Sequence, residues 1–187
     1  MHLEKAVEAA LRKPPDPEPK VLFNPSQEES EKVFRKWKEF ALDVETPSTT
    51  SDRILSIAVS GSPDLGLVWD LQGKPILQPL REALSSDRMK VFQNGEFDLQ
   101  RLEGNGFKVK KIVGKRNLIW DTMIECQILH PDEPANLSYL TSLACDVEAW
   151  KHRRNSEDRR EFLLYNTLDA IYTFRVYLKG EENGSPL

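Results

Sequence analysis

Cysteine is scarce in this chain. Two are present in 187 residues, Cys126 and Cys145, with no Cys-x-x-Cys and no paired spacing. They read as small buried apolar residues of a reducing compartment. Long hydrophobic runs are missing too, and no stretch approaches the length of a membrane span. The first residues, MHLEKAVEAALRK, lack the apolar centre of a secretory signal. A soluble, cytoplasmic protein with no membrane partner is therefore expected. An excess of positive charge is lacking as well, since the net charge is −4. A nucleic-acid partner would need a local basic patch or bridging cations rather than a broad field.

What is present suits one globular domain: 39% of the residues are hydrophobic, enough for an adequate core at this length. Residues 1–35 read as a separate N-terminal arm, a short helix (LEKAVEAALRK) followed by the stiff run PPDPEP. The domain is expected over 36–180, and 181–187 form a polar tail. Within the domain, EFALDVET, RILSIAVS and LGLVWDL are strand-like with short links, which predicts an antiparallel meander. A helix follows in PILQPLREALSS, with Pro75 near its start. A short strand, KVFQN, enters the helix GEFDLQRLEGNG, with Asn94 placed to cap it. Helices are predicted over WDTMIECQILH and ANLSYLTSLAC, then a long one from the cap Ser156 to Gly180. Strands first and helices between later elements give a layered α/β domain.

The strand EFALDVET raises a physical difficulty, because acids on a buried strand are costly unless something positive meets them. Asp43 and Glu45 are i and i+2, so they project from one face while Leu42 and Val44 enter the opposite layer. That spacing suits two oxygen ligands of one divalent cation. Alone it is a weak signal, since Asp-x-Glu occurs three times, at 16, 43 and 146; only the Asp43 copy is embedded in a strand. Asp98 lies one turn beyond Asn94, and Tyr165 and Asp169 are i and i+4 on the last helix. Each pair also fits an ordinary capped or amphipathic helix.

In order and context the three segments say more. D-x-E on the first strand, Q-N-x-x-F-D at a strand-to-helix junction and Y-x-x-x-D on the last helix resemble the DEDD exonuclease superfamily, in its tyrosine branch. The run WDTMIECQILHPDEPANLSYLTSLA is similar to the proofreading domain of family A DNA polymerases. The resemblance implies a ribonuclease H-like fold, a mixed central sheet with its first three strands antiparallel and flanked by helices. It implies Asp43, Glu45, Asp98 and Asp169 as metal carboxylates for two Mg²⁺ or Mn²⁺ ions, and Tyr165 as a further catalytic side chain. Gln93 and Asn94 would approach the terminal nucleotide, and Phe97 would stack on its base or sit in the core. The histidine branch would place His where Leu164 stands.

The expected activity is 3′-5′ hydrolysis of single-stranded or frayed DNA ends, in proofreading or repair, with a separate DNA polymerase docked through the N-terminal arm. An exoribonuclease of the ribonuclease D type and a non-catalytic nucleic-acid-binding module are the alternatives. The basic runs KVKKIVGKR and KHRR…DRR are candidate backbone contacts or solvated faces.

Overall fold

The computed structural model describes Asp16 and residues 18–182. The helix predicted in LEKAVEAALRK and the tail from 183 lie outside the described residues. The centre of the molecule is a six-stranded sheet in the order β1 (Lys20–Phe23), β4 (Leu65–Asp70), β3 (Ser56–Ser62), β2 (Glu39–Glu45), β5 (Met89–Phe92) and β8 (Ile119–Asp121), while β6 (Ile112–Val113) and β7 (Arg116–Asn117) pair as a separate ribbon. Its core is the predicted meander: β2 (Glu39–Glu45), β3 (Ser56–Ser62) and β4 (Leu65–Asp70) pair antiparallel. β5 (Met89–Phe92) joins β2 in parallel, and β8 (Ile119–Asp121) joins β5 in parallel.

Alternation on β2 explains its central place. Phe40, Leu42 and Val44 pack with Phe34, Trp69 and Leu80 on one face of the sheet. Ala41 packs on the other face with Phe174 and Tyr177 of the long helix α6 (Arg159–Glu182). The first face is covered by α1 (Gln27–Phe34), α2 (Gln78–Ser85) and α3 (Gly95–Gly104). On the second, α6 crosses β2, β3 and β4 and is itself covered by α5 (Leu137–Ala144) and a 3-10 turn, Lys151–Asn155. With partners on both sides, α6 buries residues around most of its circumference rather than along one stripe.

Several boundaries differ from the sequence reading. Residues 20–34, placed by sequence in the arm, belong to the domain. β1 (Lys20–Phe23) is an edge strand parallel to β4, with Val21 and Phe23 on the α6 side and Leu22 on the other. α1 is closed by a capping box in which Ser26 Oγ accepts from Glu29 N and the Glu29 carboxylate accepts from Ser26 N. Phe34 then stacks on Trp69, with ring centroids 6.4 Å apart. A four-residue strand is too short for its alternation to stand out beside a proline run. β8 was likewise hidden at the head of a predicted helix; the chain is extended through Asp121, and α4 (Thr122–Leu129) starts after it. α2 begins at Gln78, with Pro79 rather than Pro75 in its first turn. α6 begins at Arg159 and passes through Gly180, where a side chain would press on Glu125. Among the described residues, no helix is long and apolar enough to cross a membrane.

α6 lies close against β4 at Gly66. A Cβ there would collide with Thr167 Cγ2 and stand 3.0 Å from Ile171 Cδ1. Gly66→Ala is expected to destabilise the fold by about 1–3 kcal/mol in urea unfolding. Adding Thr167→Ser, which removes the methyl and keeps the hydroxyl bonded to Leu163 O, should recover part of the loss; no recovery would show that the backbone itself sets the spacing.

Candidate active site

The site forms where β2 and β5 part. Their pairing joins Glu39–Ala41 to Met89–Val91 and stops there, leaving the last residues of β2 beside an opening in the sheet. Val44 N donates instead to Asp98 Oδ1 at 2.8 Å, which ties α3 to β2 between the two acids of the Asp-x-Glu pair. On the α6 side, Asp43 and Glu45 meet Asp169. One carboxylate oxygen from each lies within 4.8 Å of the others, and this is the one such group among the described residues. Asp98 is buried nearby, only 3% exposed, but its carboxylate is turned onto the Val44 amide and stands outside that group.

Three side chains that the sequence reading did not bring to this site hydrogen-bond these acids, and a fourth, Arg154, lies nearby. Asn166 Nδ2 donates to Asp43 Oδ2 at 2.5 Å, while Asn166 Oδ1 is buried without a partner. Trp150 Nε1 donates to Asp169 Oδ1 at 2.5 Å, and Lys151 Nζ lies 2.8 Å from both Asp169 oxygens. Arg154 Nη2 is 3.9 Å from Glu45. Asn166 could have been suspected, being three residues before Asp169 on one helix face. Trp150 and Lys151 carry no local signal, because only the fold of the 3-10 turn brings them over α6.

Burial dominates the electrostatics. It pushes the Asp43 carboxyl well above the usual range, with the charges of Asp169, Glu45 and Asp98 adding to the effect and Lys151 opposing it. Burial raises Glu45 to about 7, against the pull of Arg154. Asp98 is raised by burial too, despite the Val44 hydrogen bond. Tyr165, 3% exposed beside Asp169 and Glu45, is held protonated far above its ordinary value, again chiefly by burial.

The junction carrying Gln93 and Asn94 is organised by Asp121. Its carboxylate accepts from Asn94 N (3.1 Å) and Gly95 N (2.7 Å) at the start of α3, and from Met123 N (2.9 Å) at the start of its own helix, α4. The expected Asn94 cap is thus replaced. Asn94 makes no side-chain cap bond and sits at φ 66°, a left-handed conformation that asparagine tolerates. Gln93 is braced within the fold: its Nε2 donates to Ala135 O (2.7 Å) and its Oε1 accepts from Thr122 Oγ1 (2.6 Å). Phe97 is half-buried against the core, with the Arg101 guanidinium 3.7 Å from its ring centre. The structure brings none of these three into the acidic group. The basic runs are partly paired, Lys110 with Asp87, Lys111 with Glu103, Arg153 with Glu161 and Arg159 with Asp70.

A sequence profile described as 3′-5′ exonuclease matches residues 24–181. The chain belongs to the 3′-5′ exonuclease family. With it comes membership of the DEDD exonuclease superfamily that the three motifs resemble. No match was found among curated proteins. Among solved structures, the fold is similar to the Nibbler EXO domain of Aedes aegypti (TM-score 0.70, 15% identity, 91% of this chain and 92% of that one). It is also similar to Escherichia coli RNase D, an exoribonuclease involved in structured RNA processing (0.65, 15%, 88% and 46%), so this chain spans about half of that protein. A third likeness is Brucella melitensis NrnC with bound Mg²⁺ (0.60, 18%, 88% and 82%). These likenesses bear on the fold, which is the mixed α/β arrangement of the exonuclease superfamily.

DEDD exonucleases use divalent metals, and the side chains of this exonuclease-family member fit one. The cluster offers only hard oxygen donors, burial raises Asp43 and Glu45 where no cation fully offsets it, and Asn166 Oδ1 leaves an acceptor unmatched. Acids raised in the folded state keep protons that the unfolded chain has already lost. For Glu45 the window runs from 4.5 to about 7. Stability of the metal-free protein should therefore fall as pH rises through that window, and Glu45→Gln should remove on the order of 1–3 kcal/mol of the change. Thermal unfolding in EDTA between pH 5 and 7.5 checks this, and a profile that rises with pH contradicts it.

Proposed function

We propose that this protein is a metal-dependent exonuclease that removes nucleotides one at a time from a 3′ end and releases nucleoside 5′-monophosphates. The observation that carries the proposal is the meeting of half-buried Asp43 with buried Glu45 and Asp169, from β2 and α6, in one group. A binding module would gain nothing from burying acids where a phosphate must sit. Asp43, Glu45 and Asp169 are assigned to hold divalent ions, Mg²⁺ or Mn²⁺, with Asp98 joining them for a second ion once its hold on Val44 N is shared. Such ions would neutralise the phosphate and lower the proton affinity of a bound water.

The chain's own groups do the rest. Tyr165, kept protonated, cannot act as a base; its hydroxyl orients the attacking water beside Asp169 and Glu45. Asn166 fixes the Asp43 carboxylate through its 2.5 Å hydrogen bond. Asp121 holds the Gln93–Asn94 junction, from which Asn94 is assigned to the terminal nucleotide. Gln93 would join it only by releasing Ala135 O or Thr122, and Phe97 only by leaving Arg101.

DNA is the favoured substrate on the resemblance of the 121–144 region to the proofreading domain. RNA is supported equally by the fold shared with RNase D, so the 2′-hydroxyl decides between the two. Proofreading beside a separate polymerase, in the cytoplasm where the thiols Cys126 and Cys145 stay reduced, is the role proposed for the DNA case. With residues 20–34 built into the domain, docking of that partner falls to the residues ahead of Asp16.

Labelled single-stranded DNA, mismatched duplex and RNA, each with Mg²⁺, Mn²⁺ or EDTA, separate these readings. A one-nucleotide ladder lost in EDTA and in Asp43→Ala is expected. A ladder on RNA alone assigns the ribonuclease reading, and no ladder on any substrate refutes the enzyme. Tyr165→Phe should slow hydrolysis about 10–100-fold while changing ion affinity less than about twofold. Equal loss of both would mean that the hydroxyl serves the ions rather than the water.

A further inference from the structure

The 3-10 turn over α6 places a cation in the acidic group itself. Trp150, at 5% exposure, is locked by its hydrogen bond to Asp169 and by an edge contact with Tyr172, ring centroids 4.4 Å apart. The next residue, Lys151, is anchored at its backbone while its side chain is 40% exposed. Its ammonium lies 2.8 Å from both oxygens of Asp169 and 5.2 Å from the Tyr165 ring centre. A compact ammonium on a flexible four-carbon stem can leave a carboxylate without moving its backbone. It also occupies oxygens of a carboxylate that the exonuclease reading assigns to a divalent ion.

We infer that Lys151 is the resident counter-ion of Asp169, displaced when a divalent ion binds and then contacting the phosphate of the 3′ end. This rests on the exonuclease reading above. Charge dictates both halves. An ammonium and a divalent ion compete for the same two oxygens, so metal binding must release Lys151 or share Asp169 with it. Once released, the ammonium is repelled by the ion and stays tethered by Trp150 within a stem's length of the acids. The nearest unmatched negative charge is then the incoming phosphate. Arg154, 3.9 Å from Glu45, is the neighbouring cation of the same turn but is held less closely.

The test separates binding from turnover. Mn²⁺ is titrated calorimetrically into the full chain without nucleic acid, for wild type, Lys151→Met and Lys151→Arg. Hydrolysis of a short single-stranded oligonucleotide is then measured at saturating Mn²⁺. Lys151→Met should bind Mn²⁺ roughly three- to tenfold more tightly, the effect of losing one half-exposed competing ion pair. Its KM should rise about tenfold as the phosphate contact is lost, and Lys151→Arg should restore both values towards wild type. Unchanged or weaker Mn²⁺ binding in folded Lys151→Met overturns the inference, as does an unchanged KM. If wild type cleaves and Lys151→Met matches it in both measurements, only the role of Lys151 falls. If wild type cleaves no substrate, the exonuclease reading falls, and the Mn²⁺ titration still reports on competition.

Discussion

Burial of like charge is the constraint on which the rest of this structure depends. Asp43, Glu45 and Asp169 approach one another in a place from which water is largely excluded, with Asp98 close behind. Each would be costly to ionise there alone, and together they repel. The fold contains that repulsion by aiming donors at it: the Asn166 amide, the Trp150 indole, the Lys151 ammonium and the Val44 backbone N–H. None of these donors comes from the same stretch of chain as the acid it serves. Gathering the acids therefore requires the whole domain, from β2 through α3 to the turn before α6.

The scaffold makes this possible by a small mismatch between neighbouring strands. β2 runs beyond its pairing with β5, so its last residues have a free side towards α3 and a face towards α6. Asp98 uses that free side to reach Val44. On the other face, Ala41 is small and lets α6 settle close to the sheet, while Gly66 on β4 allows the same helix to approach further along. The depth that hides the acids from water thus follows from small residues beneath α6. Larger ones would lift the helix and open the cluster to solvent.

The strands and helices that carry the acids were legible because their patterns are long and regular. Asp43 and Glu45 stand on a seven-residue strand, whereas the same tripeptide at Asp146–Glu148 lies in irregular chain after α5. Context told the two apart; composition did not. The convergence of Asp43, Glu45 and Asp169 follows the order of motifs in the sequence, yet the same reasoning put Asp98 on equal terms with them, and here it binds backbone. β1 escaped notice because four residues give too little alternation to read. Asp121 escaped for another reason. An acid before a helix reads as that helix's cap, and nothing local reveals that the same carboxylate also closes α3, 26 residues earlier. Lys151 looked like part of a solvated basic run, since ion pairing across 18 residues depends on the turn's fold.

That last case changes how the protein's charge should be understood. The basic runs seemed available to draw in a polyanion, but half of their cations face acids: Lys110 faces Asp87, Lys111 Glu103, Arg153 Glu161, Arg159 Asp70 and Lys151 Asp169. With a net charge of −4 and these five cations engaged, the chain has no broad positive field with which to attract nucleic acid at a distance. Attraction at the site itself grows when cations reach it. A divalent ion at Asp169 would then add its own charge and also release an ammonium already held in place. Metal loading and substrate attraction become one electrostatic event, so a metal-free copy of this domain has little to offer a phosphate.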